Sequence, residues 1–191
     1  YEARDYRQIM MLANRHDWLS AFSSELAIAL AVEAATGITP PERATWIRTL
    51  LAEANRVAVT LAFLGSVAPD AAVRAELHAA RERIIDLQEA VTGARVHPMF
   101  TRIGGVAAPL DEVRLAHCTD VVAGLAEVAA LCTEAADALA GPLAGLAVVS
   151  RDDAQALGVS GPVARASGLD LDLRRDDPYA AYAELGPLLA I

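Results

Sequence analysis

Helix punctuation constrains this chain more than any other feature. Apolar residues recur at three- and four-residue spacing, and the runs are bounded by a capping residue before and a glycine after. A short first helix is predicted over 2–13. Asp17 is placed to cap a second through Ala35, closed by Gly37. Thr39-Pro40-Pro41-Glu42 opens a third: Thr39 caps, Pro40 occupies the first turn where its missing N–H costs nothing, and Glu42 completes a capping box. That helix carries Ala44, Ile47, Leu51, Ala54, Ala58 and Leu61 and stops near Gly65. A fourth runs from Pro69 or Asp70 to Gly93. An irregular stretch over 94–109, with Gly104-Gly105 in its middle, leads to the longest helix, 111–139, stopped by Gly141-Pro142. Beyond it, 146–149 is the one respectable strand, Ser150 caps a short helix ending at Gly158, 160–177 reads as loop, and a turn follows over 179–185. The expected fold is mainly α: a helical bundle with long ordered loops and little strand, in a single domain over 1–191.

Composition narrows the function. Apolar residues are 54% of the chain and mean hydropathy is +0.32, much of it alanine, a helix former first. The most apolar stretch, 121–149, is broken by Glu127, Glu134 and Asp137; three carboxylates at bilayer depth are too costly, so no transmembrane helix is expected. A net charge of −9 argues against nucleic acid, which needs a basic footprint. All sixteen basic residues are arginine, a composition bias or a sign of buried ion pairs, where the guanidinium fork is preferred. Cys118 and Cys132 fall in one predicted helix, about 21 Å of rise apart, too far to share a metal or a disulfide. The sequence opens at Tyr1 and closes on Leu188-Leu189-Ala190-Ile191, and both ends read as cuts in a longer subunit.

No self-contained catalytic motif appears. The histidines, His16, His78, His97 and His117, show no metal-ligand spacing, and HExxH, CxxC, P-loop, GxGxxG and GxSxG patterns are all missing. No metal or nicotinamide is therefore expected on this chain. Arg48, Glu53 and Arg56 on an apolar helix suggest interhelical ion pairs or a charged path.

Several phrases, in order, resemble the D subunit of NADH:quinone oxidoreductase, respiratory complex I. They are Arg15-His16-Asp17-Trp18-Leu19-Ser20, Pro41-Glu42-Arg43-Ala44-Thr45-Trp46-Ile47-Arg48, Leu64-Gly65 with Asp70, Thr92-Gly93-Ala94-Arg95-Val96-His97, and Arg102-Ile103-Gly104-Gly105-Val106. The longest runs from Ser160-Gly161-Pro162 through Asp172-Leu173-Arg174 to Asp176-Asp177-Pro178-Tyr179 and Tyr182. The resemblance implies a helical bundle of the nickel–iron hydrogenase large-subunit type. It implies a quinone site beside a small partner subunit carrying the terminal iron–sulfur cluster, with NADH used elsewhere in the complex. It implies a peripheral place on the cytoplasmic face of the membrane.

By position, Trp18, Ser20 and Asp70 would belong to the quinone site, and Arg15 and His97 would lie near the cluster. Asp70 matches the acid that pairs with a quinone-site histidine of an N-terminal hairpin this chain does not contain. Trp18 stands where the family has a tyrosine; an indole N–H can donate a hydrogen bond but cannot release a proton as a phenol can. The segment 71–80 departs from the family's glycine- and proline-containing pattern. The nickel-holding cysteine pairs are missing, so hydrogenase activity is not implied. A structural or assembly paralogue with a degraded quinone pocket, and a membrane-bound hydrogenase relative, are the alternatives.

Overall fold

The computed structural model describes residues 1–186; 187–191, with the apolar ending, lie outside the described residues. The fold is mainly α, with a single two-stranded hairpin among the described residues. The chain divides into two compact units, Tyr1–Ala140 and Gly141–Ile191.

The first unit contains α1 (Ile9–Asn14), α2 (Ala21–Thr36), α3 (Glu42–Val67), α4 (Ala71–Thr92), α5 (Glu112–Gly124) and most of α6 (Val128–Leu143), with β1 (Thr101–Arg102) and β2 (Gly105–Val106) antiparallel between α4 and α5. Gly37 and Gly93 close α2 and α4 in the left-handed conformation, at φ 70° and 81°, as their punctuation predicts. Other boundaries move: α1 starts only at Ile9, not near residue 2. Asp17 caps a turn instead of a helix: its Oδ1 accepts from the Leu19 and Ser20 N–H groups at 3.1 and 3.2 Å, and α2 starts only at Ala21. The α3 N-cap is Pro41, with no side-chain cap, and the helix runs past Gly65. Gly65 serves packing, because a Cβ there would meet the His78 ring of α4 at 3.1 Å. The long helix expected over 111–139 is two helices meeting at 45°. Gly124, a weak helix former, ends α5, so Cys118 and Cys132 lie on different helices as free thiols.

The core lies where α3 packs against α4. Leu61, Leu64, Leu77, Ala80 and Ile84 interdigitate there, with Val128 and Ala135 of α6 over them. Each fully buried Leu or Ile contributes about 1.5–3 kcal/mol. By length and apolarity α3 would suffice to cross a membrane, as would α5 and α6 if taken as one bent span. But α3 buries Arg48 and Asn55 and is covered by α2, α4 and β2, so it is the central helix of this core.

The second unit holds α7 (Arg151–Ala156), α8 (Gly161–Ala166), α9 (Leu173–Asp176) and a 3-10 turn, Tyr182–Glu184. Ser150 caps α7, its Oγ accepting from the Asp153 N–H. The stretch expected to be loop carries two short helices, and 146–149 forms no strand, since Ala147 takes φ 49°. Small residues, Ala154, Ala164 and Ala181, form its interior beside Tyr182. Arg174 meets Asp172 at 2.7 Å and holds its carboxyl down at about 2.

Candidate functional site

The Asp17 turn carries Trp18 at its apex, 63% exposed, at the mouth of an open cleft. Asn55, Ala58, Val59 and Ala62 of α3 form one wall, Arg81, Ile85 and Gln88 of α4 the other, and Arg95 and Val96 close one end. The enclosed space is small, about 30 Å³, and the rest of the cleft is open to solvent. The Ser20 hydroxyl lies 3.2 Å from Asn55 Oδ1 and 2.9 Å from Ser23 Oγ, so Ser20 is joined to the cleft wall through Asn55. Gln88 Nε2 donates to the carbonyls of Ala94 and Arg95, which fastens the loop after α4. Arg95 is held by Glu82, Asp86 and Glu89 at 2.5, 2.5 and 2.9 Å. These three carboxylates push its guanidinium further up and neutralise the charge it brings to the cleft.

Arg15 and His97 converge on the C-terminal end of α1 from segments 82 residues apart in sequence. Arg15 Nη1 donates to the Met11 carbonyl at 3.2 Å and touches Met99 Sδ at 3.5 Å. His97 Nδ1 lies 3.2 Å from the Asn14 carbonyl. A carbonyl only accepts, so Nδ1 carries the proton in this contact and Nε2 is left free. Trp18 is three residues from Arg15 and Val96 is next to His97, which sets this edge beside the cleft.

Asp70 does not join them. It is exposed, and its Oδ1 accepts from the Ala72 and Val73 N–H groups at 2.7 and 3.0 Å as the α4 N-cap. These bonds hold its carboxyl below the usual range. Eleven residues of α4 separate it from Arg81, the nearest α4 residue of the cleft, about 16 Å of helical rise.

Two buried polar knots escape the sequence reading. Glu25, 1% exposed on α2, accepts from Asn14 Nδ2 at 3.0 Å and from the Phe100 and Thr101 N–H groups at 3.1 and 3.2 Å. Burial pushes its carboxyl above the usual range, against those bonds. Glu33, two turns on, pairs with both terminal nitrogens of Arg48 at 2.7 and 3.0 Å and accepts from the Gly104 N–H at 2.7 Å. Arg48 also donates to the Arg102 and Gly105 carbonyls, so the interhelical ion pair suspected at Arg48 exists, while Arg56 turns to Glu53 on its own helix. The available signal is spacing. Phe22, Glu25, Leu26, Ala29 and Glu33 form one helical stripe, and two carboxylates on an apolar stripe require buried partners. Among the described residues no group of three His, Cys, Asp or Glu side chains could hold a metal ion.

The respiratory-chain NADH dehydrogenase 49 Kd subunit family matches residues 71–186. The D 2 subunit of NADH-quinone oxidoreductase from Streptomyces griseus is 47% identical over 100% of this chain and 50% of its own length. The D 1 subunit from Streptomyces coelicolor is 46% identical, over 100% and 51%. The D 2 subunit from Rhizobium etli is 40% identical, over 96% and 47%. The chain thus spans about half the length of the curated relatives it matches. Among solved structures, a chain of the membrane-bound sulfane sulfur reductase, an archaeal respiratory membrane complex, superposes with a TM-score of 0.89 at 30% identity, over 100% of this chain and 53% of that one.

Proposed function

The chain belongs to the respiratory-chain NADH dehydrogenase 49 Kd subunit family, and we propose that it forms part of the quinone-reduction site of an NADH:quinone oxidoreductase. In this reading the cleft beside Trp18 takes the quinone headgroup. The Arg15–His97 edge faces the terminal iron–sulfur cluster of a small partner subunit, NADH is oxidised elsewhere in the complex, and this chain holds no cofactor. The subunit lies peripherally on the cytoplasmic face of the membrane, bound to the other subunits.

One observation supports the reading: Trp18 lines the cleft, Ser20 reaches its wall through Asn55, and His97, from a segment distant in sequence, meets the end of α1 next to Arg15. The relatives that are 46–47% identical are named for quinone, whereas the solved structure at 30% identity is named for sulfane sulfur, which favours quinone as the acceptor. Arg95 is outweighed by three α4 carboxylates and offers no free positive charge to an anionic ligand, which suits an uncharged headgroup.

Reducing a quinone to a quinol takes two electrons and two protons. The Trp18 indole can hold a headgroup oxygen by its N–H but has no proton to give. Asp17 is already committed to the Leu19 and Ser20 N–H groups. Protons then come from water at the open mouth or from another titratable group, of which His16, exposed and two residues before Trp18, is the nearest left in sequence. The competing reading, a structural paralogue, draws support from the exposure of Trp18 and from the remote place of Asp70.

Trp18→Tyr in the assembled complex separates the two. Quinone affinity should stay similar or improve, and turnover should rise, because a phenol restores a donor that can lose its proton. If neither form binds quinone, the chain is structural and the proposal fails.

A further inference from the structure

Glu25 touches neither the cleft nor the outer rim, yet it fixes the rim from both sides. On one side its Oε2 holds the side chain of Asn14, whose carbonyl receives His97 Nδ1. On the other its Oε1 holds the Phe100 and Thr101 N–H groups, three and four residues beyond His97. Between these anchors the backbone is forced: Met99 takes φ 43°, a left-handed conformation that costs a non-glycine residue about 1 kcal/mol or more. Phe100 is 2% and Thr101 0% exposed, so bulk water does not reach these N–H groups and Glu25 is their acceptor.

We propose that Glu25 is a positioning residue for His97: through Asn14 on one side and Phe100 and Thr101 on the other, its carboxylate sets where the free imidazole Nε2 stands. The proposal rests on the reading that His97 faces the partner's iron–sulfur cluster. Removing the side chain frees two buried N–H groups, lets Met99 relax toward ordinary φ, and moves His97 two residues away. Glutamine is the conservative replacement. Its Oε1 keeps the two backbone N–H groups, and its Nε2 can donate to Asn14 Oδ1, a buried oxygen without a partner in this structure, once the Asn14 amide turns over.

The test is an EPR-monitored redox titration of the terminal cluster in the assembled complex. His97→Ala should shift the midpoint potential, because polar groups and solvent beside a cluster set it. Glu25→Ala should shift it in the same direction, Glu25→Asp by a smaller part, and Glu25→Gln should stay near the parent. The double variant Glu25→Ala/His97→Ala should shift no further than His97→Ala alone, because Glu25 acts through His97. Full additivity, or an unshifted potential in assembled Glu25→Ala, overturns the proposal; if Glu25→Ala does not assemble, an unshifted Glu25→Asp does the same. An unshifted His97→Ala removes the functional reading itself and this inference with it.

Discussion

Glu25 and Glu33 stand on the same buried stripe of α2, and both accept backbone N–H groups from the segment after α4. They differ in their company. Glu33 faces a guanidinium that is itself 1% exposed and further bonded to two carbonyls of the hairpin. Among the described residues Glu25 meets no cation; an amide and the Phe100 and Thr101 N–H groups face it, and burial pushes its carboxyl up. A buried charge matched by an opposite one can lock a fold. A buried charge matched only by dipoles is held less well and can lie where position matters more than rigidity. The Glu33 knot pins the hairpin to α2 and α3, while the Glu25 knot sits behind the rim that carries Arg15 and His97.

Arg48→Met puts the sharpest strain on that contrast and has the largest expected effect. It leaves the Glu33 carboxylate buried with only the Gly104 N–H and strips the Arg102 and Gly105 carbonyls of their donor. The expected loss is about 3–5 kcal/mol, the usual cost of orphaning a buried charge. Denaturant unfolding would measure it. The double replacement Arg48→Met/Glu33→Leu should recover only the part due to the orphaned charge, since the Gly104 N–H and the Arg102 and Gly105 carbonyls still lose their partners. A single-variant cost below about 1 kcal/mol would mean that the knot does not lock the fold.

Much of this architecture was legible in the chain, for identifiable reasons. The ends of α2 and α4 were, because Gly37 and Gly93 each occupy a left-handed position that glycine takes without strain. The break between α5 and α6 was not, since Gly124 inside an apolar run looks like a tolerated glycine. Nor was the start of α2, because Asp17 fits a helix cap and an Asx turn equally well, and tertiary packing chooses. At the site, Trp18, Ser20, Arg15 and His97 could be named only through resemblance, whereas Glu25 and Glu33 could have been found by helical spacing. Their partners in the segment after α4 could not, since contacts across 70 residues or more leave no local trace.

Asp70 extends the comparison outward. Like Glu25 it accepts two backbone N–H groups, but it stands in water, and its carboxyl moves the opposite way. Hydrogen bonding is common to both, so burial decides the sign. Asp70→Ala should cost less than Arg48→Met and more than the exchange at Glu25, because it removes the only side-chain cap of α4. A lowered folded pKa means that this stability is present above the ordinary value of 3.8 and fades as pH falls through the lowered value. The variant should therefore lose its deficit in strong acid, which unfolding curves across that range would reveal. A deficit independent of pH would mean that the cap acts without its charge.

The smallest effect is expected at Glu25→Gln, and its sign depends on pH. Gln keeps the acceptor for Phe100 and Thr101 and can reach Asn14, so the packing cost is slight. Against the lost charge-assisted bonds stands the relief of no longer burying an unmatched charge, and the net change should stay within about 1 kcal/mol. The folded pKa of Glu25 is raised above the ordinary 4.5, so its protonated form is the one the fold favours. That contribution is fully present below 4.5 and is lost as pH rises through the raised value. Glutamine carries no such loss. Below 4.5 the parent should be as stable as the variant or more so, and as pH rises through the raised value the variant should gain on it. Paired unfolding curves cancel the background of the other carboxylates, since Asp5, Asp70, Asp172 and Asp176, all lowered, titrate alike in both proteins. If the difference between the curves is flat with pH, burial does not strain the Glu25 carboxyl, and the contrast between the two knots collapses.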